Sequence, residues 1–225
     1  MKIFTLPNFI TLGNLICGMI GLRLIGLGDL SSAAILIFVA LILDFFDGFV
    51  ARLTNSHSEI GKQLDSLADM VSFGVLPSFI LFSLLEDQGW IAFIGFVPAL
   101  FSALRLAKFN IDERQSTSFF GLPTPANAMT VASFPLIIGQ IFINSQNLDL
   151  SYFFIAYSII ISFLLIADIP MMALKFKDFT WASNKVRYSF LVASLLLILI
   201  LRYAAIPAIL LFYTLLSIIY KPKTD

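Results

Sequence analysis

Residues 31–53 read SSAAILIFVALILDFFDGFVARL. After two serines the run is apolar through Leu43; Asp44 and Asp47 then interrupt it, and Arg52 comes just before its end. A helix over this stretch is about 34 Å long at about 1.5 Å per residue, enough to cross a hydrocarbon core of about 30 Å. The stretch therefore predicts a membrane-crossing helix with two carboxylates near one end. An acidic side chain at the centre of a span costs roughly 2.5–3.5 kcal/mol, so these two require a compensating partner.

The rest of the chain has the same character. Of 225 residues, 59% are hydrophobic and 12% charged, with a mean hydropathy of +0.95, outside the range of water-soluble domains. Basic and acidic residues balance at 14 each, which gives no electrostatic case for nucleic acid as a partner. The single Cys17 cannot form an intramolecular disulfide and reads as a small packing residue.

Apolar runs between polar breaks predict spans at 8–26, 31–53, 60–85, 90–107, 125–144, 151–173, 187–201 and 203–220. The expected fold class is all-α: one integral membrane domain over 1–225, a polytopic bundle of about eight helices with a six-helix core and a C-terminal hairpin. At the hairpin, Arg202 alone separates two runs, so one long bent helix competes with a tight turn. The first run contains Asn8, Thr11 and Asn14 and lacks a small-x-small cleavage site, which reads as a retained span rather than a signal peptide. With the N-terminus inside, the inner ends hold Lys2, Arg52, Lys62, Arg105, Lys108, Arg114, Lys175, Lys177, Lys185, Arg187, Lys221 and Lys223. The outer connections hold Asp29, Glu86, Asp87 and Asp149. That bias predicts both termini on the cytoplasmic side of the inner membrane. Gly13, Gly18 and Gly21 on the first span read as a surface for close helix approach.

A second acidic pair follows the first. Asp65 and Asp69 lie just inside the third span, across the polar connection 54–59. Spacings of i,i+3 for Asp44 and Asp47 and i,i+4 for Asp65 and Asp69 put each pair on one helix face. Folding the helices back about residues 56–57 sets Asp44 level with Asp69 and Asp47 nearly level with Asp65. Four clustered carboxylates without Cys or His favour a hard divalent cation, Mg²⁺ or Mn²⁺. Gly48, Ala51 and Gly61 leave room beside such a site, and Arg52 at its mouth offers a phosphate donor. His57, in the polar connection, reads as a solvated loop residue.

The segment Asp44-Phe45-Phe46-Asp47-Gly48-Phe49-Val50-Ala51-Arg52, followed by Gly61, Asp65 and Asp69, resembles the CDP-alcohol phosphatidyltransferase signature D-x2-D-G-x2-A-R-x8-G-x3-D-x3-D at every defining position. Further stretches resemble its phosphatidylserine synthase branch: Pro7 to Thr11 with Asn14, Asp69 to Gly74, Arg105 to Asn110 and Gly121 to Ala126. Lys108 stands where many relatives carry arginine.

The resemblance implies a homodimer that transfers the phosphatidyl group of CDP-diacylglycerol to L-serine, releasing CMP. It implies that Asp44, Asp47 and Asp65 ligate one or two divalent ions, with Asp69 completing the site and acting as general base. It further implies a CDP-diacylglycerol site of Gly48, Ala51, Arg52, Gly61 and Ser66, approached by Asn8 and Thr11. The serine carboxylate would meet Arg105 and Lys108, with Ser72, Asn110 and the Gly121 to Pro125 loop as neighbours. Two alternatives stand beside this reading. A sister enzyme taking glycerol 3-phosphate or an inositol phosphate would need more basic residues than Arg105 and Lys108 at that end. A cation transporter would need acidic groups continuing across the membrane, whereas Glu86, Asp87 and Asp149 fall in loops.

Overall fold

The computed structural model describes residues 3–56, 58–112, 119–141, 149–172 and 180–220. His57 and the basic residues Lys2, Arg114, Lys175, Lys177, Lys221 and Lys223 lie outside the described residues. Helix α1 (Leu6–Ile25) starts at Thr5, whose hydroxyl accepts from the Asn8 N–H, with Pro7 in the first turn where no N–H is needed. Asp29 caps α2 (Leu30–Leu53) by accepting from the Ser32 N–H at 2.9 Å. Hydrogen bonds from the Ser32 side chain and backbone hold this exposed carboxyl below its usual range.

The third span is one rod, Glu59–Leu84, built from α3 (Glu59–Asp69), a π-helical turn at Met70–Val75, and α4 (Leu76–Leu84). The π turn begins directly after Asp69, and such turns recur where helices carry functional groups. A 3₁₀ stretch, Glu86–Phe96, broken at Gly89 (φ 58°), leads into α5 (Val97–Ile111). Beyond it come β1 (Phe119–Phe120), α6 (Thr124–Ile141), α7 (Ser151–Ile166), β2 (Pro170–Met171), α8 (Trp181–Leu201) and α9 (Ala205–Tyr220).

The chain is thus an all-helical polytopic membrane protein that carries, among the described residues, one two-residue antiparallel ribbon, β1 with β2. Five apolar helical stretches among the described residues are long enough to cross a membrane: Leu6–Ile25, Leu30–Leu53, Glu59–Leu84, Glu86–Ile111 and Asn184–Ile219. The last doubles back on itself. Arg202 turns at φ 51°, and Phe190 stacks on Phe212 with ring centroids 5.6 Å apart, which one continuous helix would hold roughly 30 Å apart. Of the two readings of this region, the hairpin is the one observed.

Helix α7 stops at Ile166, short of the expected 173. Pro170 disfavours helix at Ile169, and the backbone instead receives Gly121 N–H at Ile169 O and Leu122 N–H at Leu164 O.

Lipid is as apolar as a leucine side chain, so close packing rather than apolar burial holds helices together in a bilayer. Helix α1 shows this: a Cβ on Gly18 would lie 2.7 Å from Ser72 Oγ and one on Gly21 2.6 Å from Leu76 Cδ2. Both glycines let α1 sit tight against the third span. Gly13 faces Leu43 of α2 at an ordinary 3.4 Å.

Candidate active site

Helix α1 packs against both α2 and α3, which barely touch each other. The two acid-bearing helices therefore splay around α1 and leave a cavity of about 610 Å³ between them. Asp44, Asp47 and Asp65 line this cavity and offer oxygens that all lie within 4.8 Å of one another. Asp44 and Asp65 are within hydrogen-bonding reach of each other. Asp65 lies close to both Asp44 and Asp47, and Asp69 lies outside the three-carboxylate group but within electrostatic reach of Asp44, Asp65 and Asp47.

Helix α1 also orients the acids. Thr11 Oγ1 donates to Asp47 Oδ2 at 2.6 Å, a length typical of a hydroxyl on a carboxylate. One turn further, Asn14 Nδ2 donates to Asp69 Oδ1 at 3.2 Å. Asp69 is 8% exposed, and its second oxygen takes no hydrogen bond among the described residues. The role of Asn14 was legible in part: Asn8, Thr11 and Asn14 repeat every three residues, a polar stripe on an otherwise apolar helix.

The cavity mouth carries the residues expected to meet a nucleotide diphosphate. Gly48, Ala51, Arg52 and Gly61 line it, with Asn8 and Thr11 on the α1 side. Gly61 sits in a tight spot: a Cβ there would stand 3.1 Å from Ser58 Oγ and 3.2 Å from Asn8 Oδ1, so those side chains would have to give way. Lys62, which sequence reasoning did not assign to the site, also lines the cavity, and its Nζ donates to Asn110 O at 3.0 Å. Its position next to Gly61 was the available signal.

Ser66 does not reach this cavity. It lies on the flank of α3 facing α5, where its hydroxyl accepts from Asn110 Nδ2 at 2.9 Å. Asn110 is thus held between Ser66 and Lys62 and is turned toward α3 rather than toward the carboxylates. Lys108 pairs with Asp168 at 2.7 Å, which ties α5 to the segment after α7. Ser72 is fully buried and donates to Asn14 O at 2.9 Å beneath Gly18. These three serine-site expectations, Ser72, Lys108 and Asn110, meet partners within the protein that are 44 to 60 positions away in sequence, so only the tertiary structure sets them beside one another.

Arg105 differs. It is 8% exposed, within electrostatic reach of Asp69, and its Nη1 donates to Thr124 Oγ1 at 3.2 Å. Its Nε is buried and unpartnered among the described residues, and an unmet buried donor is costly. One turn back on α5, the buried Ser102 hydroxyl is also unpartnered among the described residues, and the Ser102 Cβ lies against Gly74. Arg105 and Ser102 thus place two unmet polar groups one turn apart on α5 among the described residues.

Residues 4–166 match the CDP-alcohol phosphatidyltransferase family. The chain is similar to the CDP-diacylglycerol–serine O-phosphatidyltransferase of Bacillus subtilis, 36% identical over 155 residues that cover 67% of this chain and 86% of the relative. It is likewise similar to the enzyme of that name from Methanocaldococcus jannaschii, 36% identical over 169 residues covering 75% of this chain and 74% of the relative. An archaetidylserine synthase of Methanothermobacter thermautotrophicus is 37% identical over 135 residues, 58% of each chain. Matched over most of its length, with three of its four signature aspartates lining one cavity, the chain belongs to the CDP-alcohol phosphatidyltransferase family.

Proposed function

We propose that this protein is a phosphatidylserine synthase, transferring the phosphatidyl group of CDP-diacylglycerol to the hydroxyl of L-serine and releasing CMP. The observation that carries the reading is the convergence of Asp44, Asp47 and Asp65 within 4.8 Å at the end of a cavity whose mouth holds Arg52 and Lys62. The donor set is all carboxylate oxygen, which fits Mg²⁺ or Mn²⁺. Asp44, Asp47 and Asp65 would hold one or two such ions, which when bound would neutralise charge on the diphosphate and on the departing CMP.

The chain's own residues do the rest. Gly48 and Gly61 let the nucleotide approach the α2 and α3 backbones, and Arg52 and Lys62 bring positive charge to its phosphates. Asp69, oriented by Asn14, accepts the proton of the serine hydroxyl. The serine oxygen forms its bond to the lipid-side phosphorus as the bond from that phosphorus to the CMP oxygen breaks. Arg105 offers its free Nε to the serine carboxylate. Ser66 and Ser72 are assigned to helix packing, and Lys108 and Asn110 to anchoring the C-terminal end of α5.

The chain forms one domain of eight crossings, a six-helix core and a C-terminal hairpin, with the cavity open to the cytoplasm. Arg52, Lys62 and Lys108 at one end of the bundle support that orientation. The working unit is a homodimer, as the family resemblance implies.

The decisive experiment is a CMP-release assay on purified protein with CDP-diacylglycerol and, in turn, L-serine, glycerol 3-phosphate and an inositol phosphate. L-serine should support release, and excess chelator should stop it. Faster release with a phosphorylated acceptor would make this a sister enzyme, and no release with any acceptor would refute the transferase reading.

A further inference from the structure

Everything after Ile166 lies outside the stretch that matches the family, yet it bears on the acceptor end of the site. Met172 is gripped from α9 at both backbone groups: its N–H donates to Ser217 Oγ at 3.0 Å, and its carbonyl accepts from the Tyr213 hydroxyl at 3.0 Å. Tyr213 and Ser217 are one helical turn apart, and the Ser217 hydroxyl donates back to Tyr213 O at 2.8 Å.

Met172 directly follows β2, whose Met171 and Pro170 stand opposite Phe119 and Phe120 of β1. From β1 the chain enters Gly121, at φ 75°, where a Cβ would lie 2.5 Å from Leu165 O. Its N–H donates to Ile169 O at 3.0 Å. Leu122 is buried in a cluster with Met171 and Leu210, with Tyr213 packed at its edge. Two residues on, Thr124 accepts the Arg105 guanidinium. Each link is a hydrogen bond of 3.0–3.2 Å, a strand register or a close contact, so a shift of Met172 is passed along a continuous chain of contacts to Thr124.

We infer that Tyr213 and Ser217 are positioning residues for the acceptor: by clamping Met172 they fix the ribbon and the Gly121–Thr124 loop, and through Thr124 they aim the buried Arg105 guanidinium at the acceptor carboxylate. The inference rests on the reading of Arg105 as the acceptor-binding group. The C-terminal hairpin is then part of the specificity apparatus rather than a lipid-facing appendage.

The test uses the full chain, purified in detergent, with the variants Tyr213→Phe and Ser217→Ala. Each removes one hydroxyl and leaves the packing volume almost unchanged. KM is measured for CDP-diacylglycerol and for whichever acceptor supports CMP release in the wild type, so that an acceptor other than serine refutes the proposed function while still testing the relay. Loss of one neutral hydrogen bond, on the order of a fivefold change in an equilibrium, should raise the acceptor KM about five- to tenfold in each variant, with the lipid KM held within twofold. Ser217→Thr, which restores the hydroxyl, should return the acceptor KM toward wild type. An acceptor KM within twofold of wild type in either variant, or a parallel rise for both substrates, overturns the inference.

Discussion

Replacing Thr11 with Val removes the hydroxyl that holds Asp47 and keeps the volume of the side chain. The bond is 2.6 Å long and buried, and a hydrogen bond to a charged group contributes about 1.5–3 kcal/mol. If that contribution serves to hold Asp47 ready for a cation, its loss corresponds to a fall of about 10- to 150-fold in metal affinity. The range agrees with the roughly 10- to 100-fold effects of removing outer partners of metal ligands. The assay is CMP release at saturating CDP-diacylglycerol and serine, titrated with Mn²⁺ or Mg²⁺. The half-activating concentration should rise at least tenfold while the rate at saturating metal largely recovers. Thr11→Ser, which keeps the hydroxyl, should stay within about threefold of wild type. A half-activating concentration unchanged within twofold in Thr11→Val would refute the reasoning that α1 orients the metal ligands.

Three further outcomes follow from the same geometry. Asp69→Asn should abolish turnover while CDP-diacylglycerol binding, measured by equilibrium binding of labelled lipid, remains; normal turnover would remove Asp69 as the base. Arg105→Ala should raise the serine KM tenfold or more and leave the lipid KM near wild type, and an unchanged serine KM would reject the carboxylate clamp. Gly18→Ala puts a Cβ 2.7 Å from Ser72 Oγ, overpacking that typically costs about 1–3 kcal/mol. Since α1 carries both Thr11 and Asn14, that variant should lose thermal stability in detergent and metal affinity together, and loss of neither would show that the α1 contact is loose.

Much of the site was legible because helical periodicity is local. The i,i+3 and i,i+4 spacings put Asp44 with Asp47 and Asp65 with Asp69 on single faces without reference to any other helix. The small residues Gly48, Ala51 and Gly61 were readable for the same reason, and all three line the cavity. What could not be read was the partner of each polar group. Lys108 meets Asp168 across 60 positions, and Ser72 meets the Asn14 carbonyl across 58. Nothing in the local pattern distinguishes these from Arg105, whose buried Nε has no partner among the described residues.

Composition and hydropathy alone determined a polytopic helical membrane protein, since only helices satisfy so many backbone groups across such apolar runs in lipid. The spacing of the acids likewise determined that a cation site was to be expected. Only the tertiary structure decided that α1 stands between the two acid-bearing helices, that three carboxylates converge while the fourth is held by Asn14, and that the C-terminal runs fold back as a hairpin. Side-chain faces follow from the backbone period, whereas the meeting of faces depends on how closely helices pack, and here Gly18 and Gly21 of α1 set that closeness.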